Sequence, residues 1–281
     1  MEKLGQLYRR TGDFRQAEPL LVRARFIYER ALGRDHKDVA DAILNLGNLY
    51  FSQRRYAAAE TLMVQAADRY ALLGTSDSLM ASTLANLGAV YIRLQRYDTA
   101  TSVMARALDI RERLLPPRDP RLASTMNNLG TLYWSLGRYE DAEPLYQRTL
   151  DIYRSLYGDE HPRTASALNN LGETYWALKR FDESEDFLRR ALAIKQRVYD
   201  SEHPSIGNTL NSLGNLLRDK GDYMQAESFY GKALALREHA LGRSAPDVAE
   251  TLTEYAKLLR ILGRDAEAGR LESRAEAIRG N

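Results

Sequence analysis

LASTMNNLGTLYWSLGRYEDAEPLYQRTLDIYRSLYG, residues 122–158, is the stretch that decides the fold. In its first half Leu122, Met126, Leu129, Leu132 and Tyr133 recur every three or four positions, which predicts an amphipathic helix from Leu122 to Leu136. Gly137 ends it. A second helix, from about Tyr139 to Leu156, carries Ala142, Leu145, Tyr146, Thr149, Leu150 and Tyr153 on one side. Gly158 follows, the residue type that most easily takes the left-handed conformation needed at a helix C-terminus. The segment reads as a helical hairpin.

The hairpin recurs. Its Leu-Gly pair appears as Leu4-Gly5, Leu46-Gly47, Leu87-Gly88, Leu129-Gly130, Leu171-Gly172 and Leu213-Gly214, and the steps from Gly88 to Gly130, Gly172 and Gly214 are each 42 residues. Such a period predicts a solenoid, in which each unit buries its apolar face only by stacking on its neighbours. A small residue recurs on the second helix as Ala17, Ala59, Ala100, Ala142, Ser184, Ala226 and Ala268, so the paired backbones can approach closely. Aromatics follow each turn (Phe14, Tyr56, Tyr97, Tyr139, Phe181, Tyr223) and sit three past each glycine (Tyr8, Tyr50, Tyr91, Tyr133, Tyr175), where they are expected in the core. The expected architecture is all-α, one domain over residues 1–281, with repeats of approximately 1–33, 36–74, 78–115, 120–158, 162–200, 204–242 and 246–279.

Composition narrows the function. The chain is 44% hydrophobic and 28% charged, and Lys+Arg 40 against Asp+Glu 38 leaves +2, too balanced for the broad basic field of a nucleic-acid binder. No apolar run approaches the roughly 20 residues that cross a bilayer. With no cysteine there is no disulfide, thiolate metal site or thiol nucleophile. A cytoplasmic location is the expectation.

Leu-Gly-x-x-Tyr, then Gly-Arg-Tyr-Glu-Asp-Ala-Glu at residues 137–143, then a late small residue at Ala24, Ala66, Ala107, Thr149, Ala191, Ala233 and Ala275, resembles the tetratricopeptide repeat. The interval of 42, longer than that family's usual period of about 34, together with Asn169-Asn170-Leu171-Gly172 and the loop Gly158-Asp159-Glu160-His161-Pro162, is similar to the extended variant of kinesin light chains and many bacterial signalling proteins. The resemblance implies a right-handed superhelical solenoid of about seven hairpins, the first one truncated. Its first helices would line a concave groove that receives peptide segments of partner proteins.

On each first helix, the positions free of packing fall three before the glycine and one, four and five after it. Three before stand Asn127, Asn169 and Asn211, whose carboxamides can grip the backbone of an extended peptide. The neighbouring column, Asn45, Asn86, Asn128, Asn170 and Ser212, is read as structural. Four after come Phe51, Ile92, Trp134, Trp176, Arg218 and Arg260, which puts both tryptophans on the open face as an apolar shelf. The candidate peptide-binding set is Asn48, Arg93, Asn127, Trp134, Asn169, Trp176, Asn211, Asn215 and Arg218, with Lys257, Arg260, Asp41, Glu173, Asp219 and Glu250 interspersed. Arg218 could hold an acidic ligand or a C-terminal carboxylate.

No catalytic constellation is present. His36, His161 and His203 occupy one loop position in three repeats, but equivalent points on stacked hairpins lie about 10 Å apart, too far for shared bonds of about 2 Å to one metal. They are read as shaping the turn before each next helix, with Pro162 and Pro204 at the first helical position. The expectation is a non-enzymatic scaffold for a protein or peptide partner, without cofactor or metal. The alternatives are a solenoid that self-assembles through its terminal repeats, and a regulatory part of a larger signalling enzyme, NTPase or protease.

Overall fold

The computed structural model describes residues 1–74 and 77–280, which form fourteen α-helices and no strand. They group into two compact units, one running from Met1 to Tyr133 and the other starting at Trp134.

In unit 1, α1 (Glu2–Thr11) pairs with α2 (Phe14–Leu32), α3 (Lys37–Ser52) with α4 (Tyr56–Leu73), and α5 (Asp77–Arg93) with α6 (Tyr97–Leu114). The second helix of one hairpin also packs on the first helix of the next, as α2 does on α3 and α4 on α5. Helix α7 (Pro120–Ser135) begins in unit 1 and ends in unit 2. Unit 2 continues with α8 (Tyr139–Tyr157), which packs on α9 (Pro162–Ala177). Helix α9 pairs with α10 (Phe181–Val198), α11 (Pro204–Lys220) with α12 (Tyr223–Leu241), and α13 (Pro246–Ile261) with α14 (Asp265–Arg279).

Small residues close these hairpins. Ala17, Ala59, Ala100, Ala142, Ser184, Ala226 and Ala268 are all fully buried, and so, or nearly so, is the later column from Ala24 to Ala275. The glycines face large partners across the hairpin. A Cβ on Gly172 would stand 2.6 Å from Leu188 Cγ, and one on Gly214 would stand 2.7 Å from the Tyr230 ring. Those separations are well inside van der Waals contact, so the missing side chain is what seats the partner. The helix cost of glycine, about 1 kcal/mol against alanine, is offset by this packing.

Turns inside the hairpins share one geometry. A residue one or two positions past the first helix has positive φ whether it is glycine, as at Gly137 (φ 73) and Gly221 (φ 86), or not, as at Arg54 (61), Gln95 (59) and Lys179 (62). The next amide returns to the last turn, with Arg180 N–H donating to Tyr175 O at 2.8 Å and Asp222 N–H to Leu217 O at 2.9 Å. Carbonyls left over at the helix end are thereby satisfied.

Loops between hairpins use histidine. The Nδ1 atoms of His36, His161 and His203 accept from the backbone N–H of Asp38, Arg163 and Ser205 at 3.2, 3.1 and 3.2 Å, capping α3, α9 and α11. Tyr157 stacks on His161 and Tyr199 on His203, with ring centroids 4.5 and 3.8 Å apart. The turn aromatics depart from the expected core position: Phe14, Tyr56, Tyr139 and Phe181 are half-buried, and Tyr97 and Tyr223 are exposed. Where the packed side is seen, Tyr56 meets Phe51 and Tyr139 meets Trp134 at the end of the first helix.

Candidate functional site

In unit 2 the first helices α9, α11 and α13 lie side by side and form the wall of a concavity of about 530 Å³. Helix α9 contributes Glu173 and Trp176, and the end of α7 contributes Trp134. Helix α11 supplies Asn208, Asn211, Ser212, Asn215 and Arg218, and α13 supplies Asp247, Glu250, Glu254 and Lys257. One residue, Arg237, comes from a second helix, α12.

Aromatic positions are fixed from below. The turn aromatic five residues on packs against the indole: Trp134 meets Tyr139 edge-on at 5.9 Å, and Phe51 meets Tyr56 at 5.7 Å in unit 1. Trp176 and Phe181 both pack on Leu188, Leu213 and Leu216, and Trp176 Nε1–H donates to Asp219 Oδ2 at 3.0 Å. Both indoles are half-buried and line the concavity, so they cover a seam with one part and face the open side with another.

The asparagine column runs deeper than expected. Asn169 is 7% exposed and Asn211 2%, and Asn127 is half-buried. This position points into the seam between adjacent first helices, where long side chains from the second helix reach it. Asn169 Oδ1 accepts from Thr209 Oγ1 at 2.7 Å and Lys195 Nζ at 3.4 Å, and its Nδ2 donates to Glu173 Oε1 at 2.9 Å. Asn169 therefore orients a wall carboxylate rather than lining the concavity itself. Asn211 does line it, and its Oδ1 is buried with no hydrogen-bond partner among the described residues.

The column read as structural reaches across to the preceding first helix. Asn45 donates to Glu2 at 2.5 Å, Asn86 to Asn48 at 3.0 Å, and Ser212 to Glu173 at 2.6 Å. In unit 1, Asn48 and Asn86 line a smaller recess of about 240 Å³ with Arg9, Phe51, Met63 and Ala89. Arg93, exposed on the last turn of α5, is not part of its lining.

Arg218, the candidate grip for an acidic ligand, is already engaged by the wall itself. Its Nη1 donates to Glu254 Oε2 at 2.7 Å and to Tyr230 Oη at 3.2 Å, and its Nε to Asp219 Oδ1 at 2.9 Å. Tyr230 Oη in turn donates to Asn215 Oδ1 at 2.8 Å. The arrangement starts at Gly214, whose bare Cα lets the Tyr230 ring lie against α11 and bring its hydroxyl to the wall.

Arg237 is one of the wall residues that sequence reasoning missed, with Asn208, Asp247 and Glu254. It is 3% exposed and clamps α11 to α13, donating to Asn208 Oδ1 at 2.9 Å, Asp247 O at 2.8 Å, Thr251 Oγ1 at 2.6 Å and Glu250 Oε2 at 3.1 Å. Its signal was present: Arg111, Tyr153, Lys195 and Arg237 follow one another at intervals of 42. The same position holds Arg111 on Thr125 and Ser82, and Lys195 on Thr209.

Burial pushes the Glu173 carboxyl above its usual range, opposed by hydrogen bonds from Ser212 and Asn169 and by the Lys195 charge. Burial pulls Lys195 down to about 8, with the Glu173 charge opposing. Burial also acts to raise Glu254, but the bonds from Lys257 and Arg218 outweigh it and leave that carboxyl below its usual range. Among the described residues no group of three or more His, Asp or Glu side chains could hold a metal ion, and no helix is long and apolar enough to cross a membrane.

Hairpins that stack through small residues, with first helices forming a polar wall, define an all-α helical-repeat protein. The tetratricopeptide repeat family matches residues 1–71, 79–155, 121–197 and 205–280, and the chain belongs to it. BtubC (BKLC) of P. vanneervenii is similar in structure, with 26% identity, a TM-score of 0.69, and coverage of 82% of this chain and 91% of that one. Nearly identical TPR-like repeats of kinesin light chain type from Podosopora anserina share the fold at 20% identity and a TM-score of 0.61, covering 73% and 96%. A Pyrococcus horikoshii signal transduction ATPase with a tetratricopeptide repeat sensor shares the fold at 13% identity and a TM-score of 0.77 over 98% of this chain, which spans 41% of that protein. No curated protein sequence matches the chain.

Proposed function

We propose that the chain is a non-catalytic interaction scaffold that seats a peptide segment of a partner protein in the concavity of unit 2. The observation that carries this reading is Trp176, an indole locked by Asp219 and by apolar packing while it lines the concavity beside Trp134. Rigid aromatic anchors on a preorganised wall bind at low entropic cost. The volume of about 530 Å³ lies within the range of ligand-binding clefts, and the wall's side-chain amides, Asn211 and Asn215, suit the polar backbone of a peptide. The repeats of the archaeal ATPase are a sensor in that protein. Recognition through the repeat surface is the role we assign here.

The test is selection of random phage-displayed dodecamers on the full chain, followed by titration of the enriched peptides using the fluorescence of the two tryptophans. Trp176→Ala should weaken binding by about tenfold or more, as loss of an anchor does, with the far-ultraviolet circular dichroism unchanged. Unaltered affinity in a folded Trp176→Ala variant refutes the assignment.

A second reading, self-assembly, is favoured by an exposed apolar patch on α1. Leu4 and Leu7 are 45% and 48% exposed, whereas Leu46 and Leu49 at the same repeat positions are 4% and 0%. Light scattering at high concentration tests it: a monomer whose mass is unchanged by Leu7→Glu rules it out.

A further inference from the structure

The charges of the unit 2 wall do not cancel. Four carboxylates, Glu173, Asp247, Glu250 and Glu254, face three cations, Arg218, Arg237 and Lys257. Each cation is already paired with a carboxylate: Arg218 and Lys257 share the two oxygens of Glu254 at 2.7 and 2.6 Å, and Arg237 bonds Glu250 at 3.1 Å. An acidic segment would find no cation that is not already paired.

Glu173 differs from the other wall carboxylates in how it is held. Its Oε1 takes both the Asn169 and Ser212 donors, and among the described residues no group bonds its Oε2. The nearby ammonium of Lys195 does not reach it. That ammonium is spent on Thr209 Oγ1 at 2.7 Å, Ser205 O at 3.2 Å and Asn169 Oδ1 at 3.4 Å, so the Asn169 carboxamide stands between the two charges. A half-buried carboxylate that keeps one oxygen open at a concavity is set up for a donor from outside.

Asn211 makes the same demand independently. It is 2% exposed in the same wall, and among the described residues its carboxamide oxygen has no donor. A buried acceptor left unpaired is costly, and an incoming N–H removes that cost. The indoles add a third preference, since an aromatic face attracts a desolvated cation.

We propose that the segment held in this concavity presents a lysine or arginine side chain whose cation is received by Glu173, with Asn211 accepting a further N–H and Trp134 and Trp176 flanking it. The inference rests on the reading of the concavity as a peptide site. Burial raises the Glu173 carboxyl, so its ionised form is held at a cost until a cation arrives. An anionic segment would add repulsion to that cost.

Three synthetic undecapeptide pools test the inference, matched in apolar composition and carrying three Lys or Arg, three Asp or Glu, or three Gln. Each is titrated into the full chain, Glu173→Gln, Asn211→Leu and Trp176→Ala by tryptophan fluorescence or, for Trp176→Ala, by calorimetry. Glu173→Gln keeps an acceptor for Ser212 and Asn169 and loses only the charge. Glu160→Gln, an exposed carboxylate outside this wall, is the control. The cationic pool should bind about tenfold tighter than the Gln pool, and Glu173→Gln should erase that preference while Glu160→Gln keeps it. Asn211→Leu should weaken binding without lowering the melting temperature.

Equal or tighter binding of the Gln or anionic pool, still lost in Trp176→Ala, overturns the cation inference and leaves the peptide site standing. A cationic preference that survives Glu173→Gln overturns the site assignment. Absence of binding by every pool overturns both the inference and the reading beneath it.

Discussion

Adding one methyl group at Gly172 should act in the opposite direction to adding one at Gly231, although both glycines lie inside helices of unit 2. In either helix, replacing glycine with alanine gains about 1 kcal/mol of helix propensity. At Gly231 the new Cβ meets nothing within 4 Å, so the gain stands. At Gly172 it would lie 2.6 Å from Leu188 Cγ, 2.8 Å from Cδ2 and 3.2 Å from the Leu188 backbone nitrogen. Leu188 is fully buried, and a contact at its branch carbon and main chain cannot be relieved by swinging a side-chain tip. Overpacking of this kind costs about 1–3 kcal/mol, so the net for Gly172→Ala is a loss of about 1 kcal/mol. Both tryptophans lie in unit 2, and urea unfolding followed by their fluorescence reads this unit directly. Gly231→Ala should shift the midpoint up and Gly172→Ala down. If Gly172→Ala stabilises as much as Gly231→Ala, close approach is not the reason the Leu-Gly pair recurs.

The positive φ of Lys179 gives Lys179→Gly a gain of about 0.5–1 kcal/mol in the same urea assay, because the left-handed region costs a side-chain-bearing residue about 1–2 kcal/mol and glycine returns only part of that as entropy. Lys195 predicts a pH dependence. Burial pulls it from 10.5 down to about 8, so between those values the folded state has released a proton the unfolded state still holds, and stability rises with pH. Between about pH 8 and 10 wild type should gain about 2 kcal/mol relative to Lys195→Met, and parallel curves for the two would show that Lys195 titrates normally.

Repeat length, helix pairing and the small-residue columns were legible in sequence because they depend on backbone approach, which one chain position records in one residue type. Ala142 or Gly172 has no other way to be read. The wall was legible only in part. Helical periodicity gives the direction in which Asn169 and Asn211 leave the axis, but not the length of what comes to meet them. Lys195 and Thr209 enclose Asn169 from two other helices, forty or fewer residues away in sequence. Arg237 was hidden for the converse reason: a charged residue on a second helix reads as solvent-facing, yet its stem runs past Gly207, where a Cβ would come within 3.0 Å of its Cγ. The pairing of Arg218 depended on Glu254, 36 residues on, and no local pattern announces that distance.

The position four past the glycine reads Trp134, Trp176, Arg218 and Arg260 through unit 2. All four stand in the last turn of a first helix, while the chemistry they carry changes. A segment displaced by one repeat would meet the same curvature but trade an indole for a guanidinium already bound to Glu254. If unit 2 seats a peptide as proposed, this change of side chain from one repeat to the next distinguishes one register from its neighbour.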